Sequence, residues 1–581
     1  MGPPEGGREE RRLIAVGRRT RFVSSVKARS DASVHPVRLL ASIGFAAIVA
    51  YLVVVPLVRV QQLALEDGAA GYSSAADAIG LRDAIVRTVL LASGSVAIAL
   101  VCGTGLAWAA TRLPARLRWL GVVPLLPIIS PAVATTIGWA FLLSPEAGYL
   151  NVLWRKLPFA TGTSGPVNVY TVPWIVTIVG ISLSAFVYMF VRSGLSNMNE
   201  ELVEAAEVCG SSSRAAFFTV VLPLLRPVLV YGGSTALLLG LGQVTVPLIL
   251  GRREGVDVLT TVLYRFTSDA PPDYGAAAAL GSPLLLAGLL IVAVQRAMLG
   301  DNSRFVTHGG KSFRAAARSS RTAAVALAGY GVVAVALPLG ALVIVAVSPF
   351  WSPNIRVDLF TLDNFRELLE RREIVDAVRN SVLLSAGAVL VSLPVGFVAA
   401  SIIFKAPTRW VARTVDVLVN LPMGIPAVVF GAGFLFTYTR PPAVLYGTPW
   451  VILLVYVTVM LPFTTRFQLS AMMAVGTAYE EASHTSGAGF VRTTAEIVVP
   501  MLRPALVGAG TTMLILLSHE FSASLLVRSV RTQVMGTQLY DYWTTGSYPL
   551  VAAFALAMCV VTGACVAVAS RLGGRGALDH L

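Results

Sequence analysis

Long apolar segments alternate with short polar ones along most of this 581-residue chain. A helix that crosses a membrane needs about 20 mainly apolar residues, and twelve segments meet that requirement. They lie at 38–58, 87–110, 120–143, 172–194, 228–250, 276–299, 323–348, 380–404, 411–437, 448–469, 505–528 and 548–570. The pattern therefore predicts an all-α polytopic membrane protein with twelve transmembrane helices.

The second six segments repeat the first six in the same order. Leu126-Pro-Ile-Ile-Ser-Pro-Ala-Val returns as Leu421-Pro-Met-Gly-Ile-Pro-Ala-Val. Beyond this segment, the offset in residue number between matching positions of the two halves becomes smaller. The second half is therefore shorter in the loop that follows the segment, which spans 144–170 in the first half and 438–447 in the second. The halves are therefore predicted to be two parallel six-helix repeats, related by a pseudo-twofold axis along the membrane normal.

Polar segments divide the chain into five parts. We expect a basic tail at 1–37, a first half at 38–299, a linker at 300–322, a second half at 323–571 and a second tail at 572–581. The first tail has no cleavage-site pattern near a short apolar core, so the first membrane helix is predicted to be an uncleaved anchor.

The charge pattern predicts the orientation in the membrane. Hydrophobic residues make up 55% of the chain and charged residues 13%, about half the charged share of a soluble protein. The net charge is +14, and 41 of the 45 basic residues are arginines. They cluster in both tails, in the linker and in loops 111–119 and 405–413, which fall on one side of the membrane if the twelve helices are correct. A basic side is typical of the cytoplasmic face, so both termini are predicted to be cytoplasmic, and no nucleic acid partner is needed to explain the charge.

Four arginines run against this distribution. They lie in loops of the opposite side, partly balanced by acidic neighbours: Arg252, Arg253, Arg371 and Arg372.

Two loops on the predicted cytoplasmic side carry the same motif. Its positions are Glu204, Ala205, Ala206, Gly210 and Pro223 in the first half and Glu481, Ala482, Gly487 and Pro500 in the second. Glu and Ala favour helix, and a glycine just after them suits the left-handed position that ends a helix. The proline is expected to interrupt a second helical piece before the next membrane helix begins. Each loop should therefore hold a short amphipathic helix outside the bilayer.

This motif resembles the EAA loop of ABC importer permeases, which reads E-A-A-x3-G-x9-I-x-L-P. The first copy departs from that pattern by Val220 for Ile, and the second by Ser483 for the second Ala and Val499 for Leu. Two copies with identical internal spacing indicate this type of loop far more specifically than one copy does. The alternative, a generic Ala-rich loop helix, would have to arise twice.

Further segments of the chain resemble one particular type of ABC importer permease. Those that begin at Gln243, Pro272 and Glu520 look like segments of the iron(III)-type permeases, fused here as two halves. Thiamine, polyamine and phosphonate permeases are close relatives of that type.

The resemblance implies the type I ABC importer permease fold in a bacterial cytoplasmic membrane. It also implies that the chain is not an enzyme and holds no cofactor, since a separate ATPase dimer would bind and hydrolyse ATP while docked on the EAA helices. A substrate-binding protein outside the membrane would deliver the solute. Iron(III) is the expected solute, with thiamine, polyamine or phosphonate as the alternatives.

Gln243 and Glu520 are the predicted pathway residues. Both lie inside predicted membrane helices, and their separation equals that of Gly210 and Gly487, so they occupy matching positions of the repeat. An ionisable group inside a membrane costs a few kcal/mol and should face a cavity or a partner. We expect the two residues to approach each other across the pseudo-twofold axis. A structural hydrogen bond between helices is the other interpretation.

Other classes of function fit less of the sequence. Gly310-Lys311-Ser312 lacks the first glycine of a phosphate-binding loop, and no metal site is predicted because the five histidines lack ligand spacing. A proton-coupled secondary transporter would explain the repeat and Glu520 but would leave both EAA-like loops unexplained. A membrane enzyme would need a convergent set of His, Asp, Glu or Cys residues, which the sequence does not indicate.

Overall fold

The computed structural model describes residues 36–158, 162, 164–199, 201–299, 320–405 and 408–573. The predicted tails and linker, together with Gly310-Lys311-Ser312, therefore lie almost entirely outside the described residues.

The described part of the first half contains twelve helical elements. They are α1 (Pro36–Ala76), α2 (Leu81–Ala110), α3 (Ala115–Ile129), α4 (Ala132–Leu143), α5 (Tyr149–Arg155), α6 (Val172–Ser196), α7 (Glu201–Val208), α8 (Ser213–Ala216, continued by Phe217–Val221 and Leu222–Leu224), α9 (Arg226–Leu241), α10 (Thr245–Leu250), α11 (Leu259–Ser268) and α12 (Tyr274–Leu299).

The second half repeats this order with one additional helix before its second membrane helix, no counterpart of α5, and a single helix in place of α8 and α9. Its elements are α13 (Arg321–Ala346), α14 (Asp363–Glu370), α15 (Arg372–Lys405), α16 (Arg409–Gly424), α17 (Ala427–Tyr438), α18 (Pro449–Val475), α19 (Ala478–Thr485), α20 (Phe490–Ser518), α21 (Ser524–Val527), α22 (Met535–Thr545) and α23 (Tyr548–Gly573).

The described residues contain ten helices long and apolar enough to cross a membrane, and twelve if each of two bent pairs counts as one. The predicted helices at 120–143 and 411–437 are these pairs, so two of the twelve predicted segments are bent. α3 and α4 meet at 95°, and α16 and α17 at 107°. Each bend falls where a residue in extended conformation precedes Pro131 or Pro426, because proline disfavours helix at the residue before it.

The predicted helices at 228–250 and 505–528 are also discontinuous, and this too corrects the sequence analysis. The first stops at Leu241 and resumes as α10, and the second stops at Ser518 and resumes as α21. Each short helix packs against the second arm of the bent pair in its own half, α10 on α4 and α21 on α17. The breaks lie at matching positions of the repeat, so they belong to the architecture of both halves.

Of the prolines in the two motif loops, Pro500 does not interrupt its helix as expected, whereas the helix that contains Pro223 ends one residue later, at Leu224. A π-helical turn precedes each one, Phe217–Val221 before Pro223 and Thr494–Val498 before Pro500, and a third such turn precedes Pro338. Proline has no N–H to donate, and its ring crowds the preceding turn. A locally wider turn accommodates both the missing hydrogen bond and the proline ring, so the helix can continue.

The two halves interlock through their first helices. α1 packs on α17 of the other half, and α13 packs on α4. A Cβ atom built on Gly138 would lie 2.4 Å from the Pro338 carbonyl oxygen, and one on Gly433 would lie 2.7 Å from that of Pro56. Only glycine permits an approach this close, and the same contact occurs twice with the roles of the halves exchanged. This reciprocity is the arrangement that a pseudo-twofold axis between the halves requires.

Glycines also bring helices together within each half. A Cβ on Gly103 of α2 would lie 2.7 Å from the Ser184 carbonyl oxygen of α6, and one on Gly396 of α15 would lie 2.4 Å from the Thr464 hydroxyl oxygen of α18. Gly105 of α2, by contrast, has no neighbour within 4 Å of the corresponding position.

Candidate functional site

The two motif loops lie on the same side of the bundle, here called the EAA side, and the other is called the opposite side. In the first loop, Gly210 ends α7 with a φ of +92°. The Gly210 N–H donates to the carbonyl oxygen of Glu207 at 2.9 Å, and the Ser211 N–H to that of Ala206 at 3.0 Å. These two bonds are the Schellman motif, which satisfies the last carbonyls of a helix when the following residue is left-handed.

The second loop has the same geometry. Gly487 follows α19 with a φ of +86°, its N–H donates to the His484 carbonyl oxygen at 3.0 Å, and the Ala488 N–H donates to that of Ser483 at 3.1 Å. The predicted left-handed glycines are therefore confirmed in both copies.

Both short helices present motif side chains to solvent. Glu204 and Ala205 are exposed on α7, as are Glu481 and Ala482 on α19. Large apolar side chains near them are exposed as well: Leu202, Val208 and Phe218 in the first loop, and Tyr479, Phe490 and Val491 in the second. Apolar groups gathered at the surface among charges are typical of a protein–protein contact.

The second short helix is fastened to its half by two contacts. The Lys405 ammonium, at the end of α15, lies 2.5 Å from both carboxylate oxygens of Glu480. The Ser483 hydroxyl is buried and shares a hydrogen bond of 2.9 Å with the Thr493 hydroxyl. This bond explains why serine replaces the second alanine of the motif.

In the first loop, apolar groups make the equivalent contact. When the two motif glycines are aligned, the residues that correspond to Ser483 and Thr493 are Ala206 and Ala216. Ala216 is fully buried and Ala206 packs against the core. A pair of methyl groups in one copy thus corresponds to a pair of hydroxyls in the other. The first loop also has a hydroxyl cap, since the Ala215 N–H donates to the Ser212 hydroxyl oxygen at 3.2 Å.

Gln243, the first predicted pathway residue, lies in the break between α9 and α10. Its carbonyl oxygen accepts a hydrogen bond of 2.7 Å from the Thr260 hydroxyl. Its neighbour Gly242 contacts the second half, because a Cβ there would lie 2.9 Å from the Cβ of Pro426, at the bend between α16 and α17. The break is therefore part of the boundary between the halves.

Glu520 lies in the matching break between α20 and α21, and its carboxylate bonds within its own segment. One oxygen accepts from the Ala523 N–H at 2.8 Å, and the other from the Ser524 N–H at 3.0 Å and the Ser524 hydroxyl at 2.5 Å. The Ser524 hydroxyl also bonds the Tyr456 hydroxyl at 2.9 Å. The structure therefore gives Glu520 the geometry of a helix cap and does not join it to Gln243. His519 beside it has a buried Nδ1 without a hydrogen-bond partner.

A further symmetric pair, which the sequence analysis missed, lies on the opposite side. The rings of Tyr264 on α11 and Tyr540 on α22 meet edge to face, with their centroids 6.3 Å apart. The two helices begin alike: the Val258 N–H donates to the Thr261 hydroxyl oxygen at 2.9 Å, and the Val534 N–H to that of Thr537 at 3.1 Å. The pattern V-x-x-T-x-L-Y, which each of these segments carries, could have revealed the pair.

Each of these helices is held against the second membrane helix of its half in the same way. The Leu259 N–H donates to the Thr88 hydroxyl oxygen at 2.8 Å, and the Met535 N–H to that of Ser381 at 2.8 Å. Across the described residues, no three His, Cys, Asp or Glu side chains converge as a metal site would require.

Residues 103–299 and 392–573 each match the family model of the binding-protein-dependent transport system inner membrane component. The two matches cover more than half of the chain, one in each half. The chain belongs to this family. It is thus an ABC importer permease with two fused halves, a transport subunit and a multi-pass membrane protein, as the resemblance indicated.

The relatives of this permease are named for different transported solutes. The ferric transport system permease protein FbpB of Actinobacillus pleuropneumoniae is 24% identical over 486 residues, which are 82% of this chain and 69% of the relative. The putative 2-aminoethylphosphonate transport system permease protein PhnU of Salmonella typhi is 24% identical over 195 residues, 31% of this chain and 68% of its own. A solved bacterial ABC transporter involved in the import of the acidic polysaccharide alginate is 18% identical, covers 42% of this chain and 91% of its own, and has a TM-score of 0.36.

Proposed function

We propose that this permease forms the solute pathway of an ATP-driven importer and is coupled to a separate ATPase dimer through α7 and α19. The observation that carries the proposal is the pair of loops on the EAA side. Each presents an eight-residue helix, ended by the same left-handed glycine geometry and flanked by exposed apolar side chains. A short amphipathic helix that projects from a rigid base is suited to dock in a groove of a partner protein.

The proposal includes an orientation. The EAA side faces the cytoplasm, where ATP is bound by the partner, and the substrate-binding protein delivers the solute on the opposite side. The basic loops of the EAA side support this assignment, and so does the family's dependence on a binding protein.

The interlocked halves suggest how coupling works. Because each first helix packs on the bent pair of the other half, neither half can rotate without moving its partner. Closure of the ATPase dimer would draw α7 and α19 together on the EAA side. The same rigid rotation would part the halves on the opposite side and turn the pathway toward the binding protein.

The proposed solute is iron(III), supported by a relative named for ferric transport that matches most of this chain. Phosphonate, polyamine and thiamine are the alternatives within the same mechanism. Purification of the binding protein together with whatever solute it carries, followed by uptake of that solute into proteoliposomes, decides among them.

Coupling is tested by replacing the left-handed glycines. In the Gly210→Val, Gly487→Val double variant, a β-branched residue in left-handed conformation costs about 1–2 kcal/mol at each site, so both helices lose their end geometry. ATPase co-purification and uptake should be lost, while the abundance of the permease stays near normal because both positions lie outside the membrane.

Gly489→Val is the matched control. Gly489 is exposed, has a φ of −72° and has no neighbour within 4 Å of a Cβ, so this variant should keep both properties. If co-purification and uptake survive the double substitution, the two loops are not the docking points. A permease that transports without any ATPase would instead support a proton-coupled secondary transporter.

A further inference from the structure

The tyrosine pair on the opposite side lies where the two halves face each other. Tyr264 and Tyr540 are equivalent in the repeat, because each closes the same V-x-x-T-x-L-Y pattern, and their rings are in contact. Two equivalent residues that touch must lie on either side of the pseudo-twofold axis. The axis is also where a pathway between the halves runs, and Tyr540 is only 4% exposed. The pair therefore closes the pathway on this side.

An arginine of the other half lies near each phenol. Arg528 of the second half interacts with Tyr264, and Arg252 of the first half interacts with Tyr540. The two arginines precede the tyrosines of their own halves by the same interval, so the four side chains form one reciprocal cluster, here called the outer constriction. These exchanged contacts join the halves as long as the constriction stays closed.

The charges of the outer constriction are not symmetric. Arg528 is paired with Asp541, whose carboxylate oxygen lies 2.6 Å from its guanidinium, and its side chain is only 15% exposed. The position equivalent to Asp541 in the first half is Arg265, which is itself paired with Asp257 at 2.8 Å. Arg252 itself is exposed, and it has no acidic partner in the described part of the chain. One positive charge remains uncompensated.

The phenols add neutral donors to this charge. Burial, together with the neighbouring Tyr264, raises the pKa of Tyr540 to about 12, although Arg252 and Arg528 act in the opposite direction. Tyr540 thus keeps its proton at neutral pH, and its hydroxyl is able to donate a hydrogen bond to a solute oxygen. A cation would find few acceptors at the outer constriction, whereas an oxygen anion would find guanidinium and hydroxyl donors together.

We propose that the outer constriction is the first contact of the permease with its solute, and that it takes solutes which carry anionic oxygens. The inference rests on the proposed function, since it requires that solute arrives on this side. It deepens that function by naming a substrate class: a phosphonate, or iron(III) arriving with an anionic oxygen ligand, fits the constriction, whereas a bare metal cation, a polyamine or thiamine does not.

The test measures the local charge preference with thiol reagents of opposite sign. The full-length permease carries Tyr264→Cys, and its own cysteines are replaced by serine: Cys102, Cys209, Cys559 and Cys565. Membrane vesicles are treated from the outside with a sulfonate-bearing or a trimethylammonium-bearing methanethiosulfonate, and the ratio of the two rates is compared with and without Arg252→Gln. In water, a unit charge changes the concentration of a monovalent ion about 7 Å away by a factor of about 2.7, so a loss of up to about sevenfold in the anion-to-cation ratio is expected at low ionic strength.

Three controls accompany the measurement. Arg366→Gln removes an arginine that is 78% exposed on α14 and should leave the ratio unchanged. Arg252→Lys keeps the charge and should keep the anion preference, which separates charge from any change of shape. Ser268→Cys places the thiol one turn further along α11 and should be less sensitive to Arg252→Gln.

Each rate is divided by the rate of the same reagent with a small free thiol in solution. The proposal is overturned if the cationic reagent then reacts faster in the parent protein, if Arg252→Gln leaves the ratio unchanged, or if the Tyr264→Cys thiol cannot be reached from the outside. The measurement needs no ATP, ATPase or solute. Its failure is therefore distinguishable from failure of the proposed function, which would show as ATPase co-purification and uptake that survive the Gly210→Val, Gly487→Val double substitution.

Discussion

At the scale of single residues, the two motif loops show how one geometry is reached with different side chains. Ala206 and Ala216 pack methyl groups where Ser483 and Thr493 share a hydrogen bond. Either pair holds the short helix against the following one. A loop with one hydroxyl facing one methyl group should be less stable than a loop with either pair, because a buried hydroxyl without a hydrogen-bond partner is costly.

Ser483→Ala should therefore destabilise the permease more than a double substitution does. The single change leaves the Thr493 hydroxyl, only 2% exposed, without its partner and should cost about 1–3 kcal/mol. Adding Thr493→Val removes the orphaned hydroxyl and should restore most of the loss. The midpoint of thermal unfolding, measured on purified permease, reports both variants.

Thr485→Ala serves as the control for this pair. Thr485 is exposed on the same helix, so its loss should change stability by less than about 0.5 kcal/mol. A double variant no more stable than Ser483→Ala alone would contradict the account.

Glu520 shows at the same scale that an ionisable residue in a membrane segment can have a structural partner. Its carboxylate accepts the N–H groups of Ala523 and Ser524 at the start of α21. In Glu520→Gln, one carboxylate oxygen is replaced by an NH2 group, which cannot accept from those donors. The unfolding midpoint and uptake should therefore fall together, with a cost of about 1–3 kcal/mol.

Ser522→Ala keeps the backbone of that segment and should alter neither quantity appreciably. Both measurements are made on one preparation of each variant. Loss of uptake at an unchanged melting temperature would return Glu520 to the pathway, as the sequence analysis first proposed.

At the scale of elements, prolines and glycines decide where apolar segments bend, break or continue. Pro131 and Pro426 produce sharp bends, whereas Pro338 and Pro500 follow π-helical turns and leave their helices continuous. Pro223 also follows a π-helical turn, but its helix ends at Leu224. Hydropathy does not distinguish the two cases, because each bent pair passes the same test of length and composition as a straight helix. Local backbone geometry makes the difference.

The glycine contacts between the halves should be the least tolerant of substitution. Gly138→Ala and Gly433→Ala each place a methyl group against a backbone carbonyl oxygen that cannot rotate away. Overpacking of this kind costs about 1–3 kcal/mol or more, and here it acts on the contact that joins the halves. Each variant should give a lower yield of monodisperse permease in size-exclusion chromatography.

Gly105→Ala is the matched control within a membrane helix, since its Cβ would meet nothing within 4 Å. Its yield and melting temperature should equal those of the parent. If Gly138→Ala behaves like Gly105→Ala, the interlock is looser than the contact distances imply.

At the scale of the whole molecule, the repeat relates contacts as well as sequence. The interlocking glycines, the left-handed loop ends and the tyrosine pair each occur as equivalents in the two halves. The charges around the tyrosines and the long loop at 144–170 break that symmetry. A single solute and a single binding protein are themselves asymmetric, so the asymmetry falls on the side that would meet them.

The proposed orientation can be tested with a native cysteine. Cys209 is exposed in the first motif loop. A membrane-impermeant maleimide should therefore label it in inside-out vesicles and not in right-side-out ones. Ser268→Cys, on the opposite side, should show the reverse. Labelling of Cys209 from the outside would invert the proposed topology.

The sequence by itself determined the fold class, the two repeats and the ends of the short loop helices. Hydropathy follows composition, and a left-handed helix end follows from a glycine at one position, so both can be read without knowing the neighbours. Tertiary structure alone decided which prolines bend a segment, that Glu520 caps α21, and that Arg528 has Asp541 as its partner while Arg252 has no acidic partner among the described residues. These features depend on which distant residue supplies a donor, a carbonyl or a charge, and a linear pattern does not contain that information.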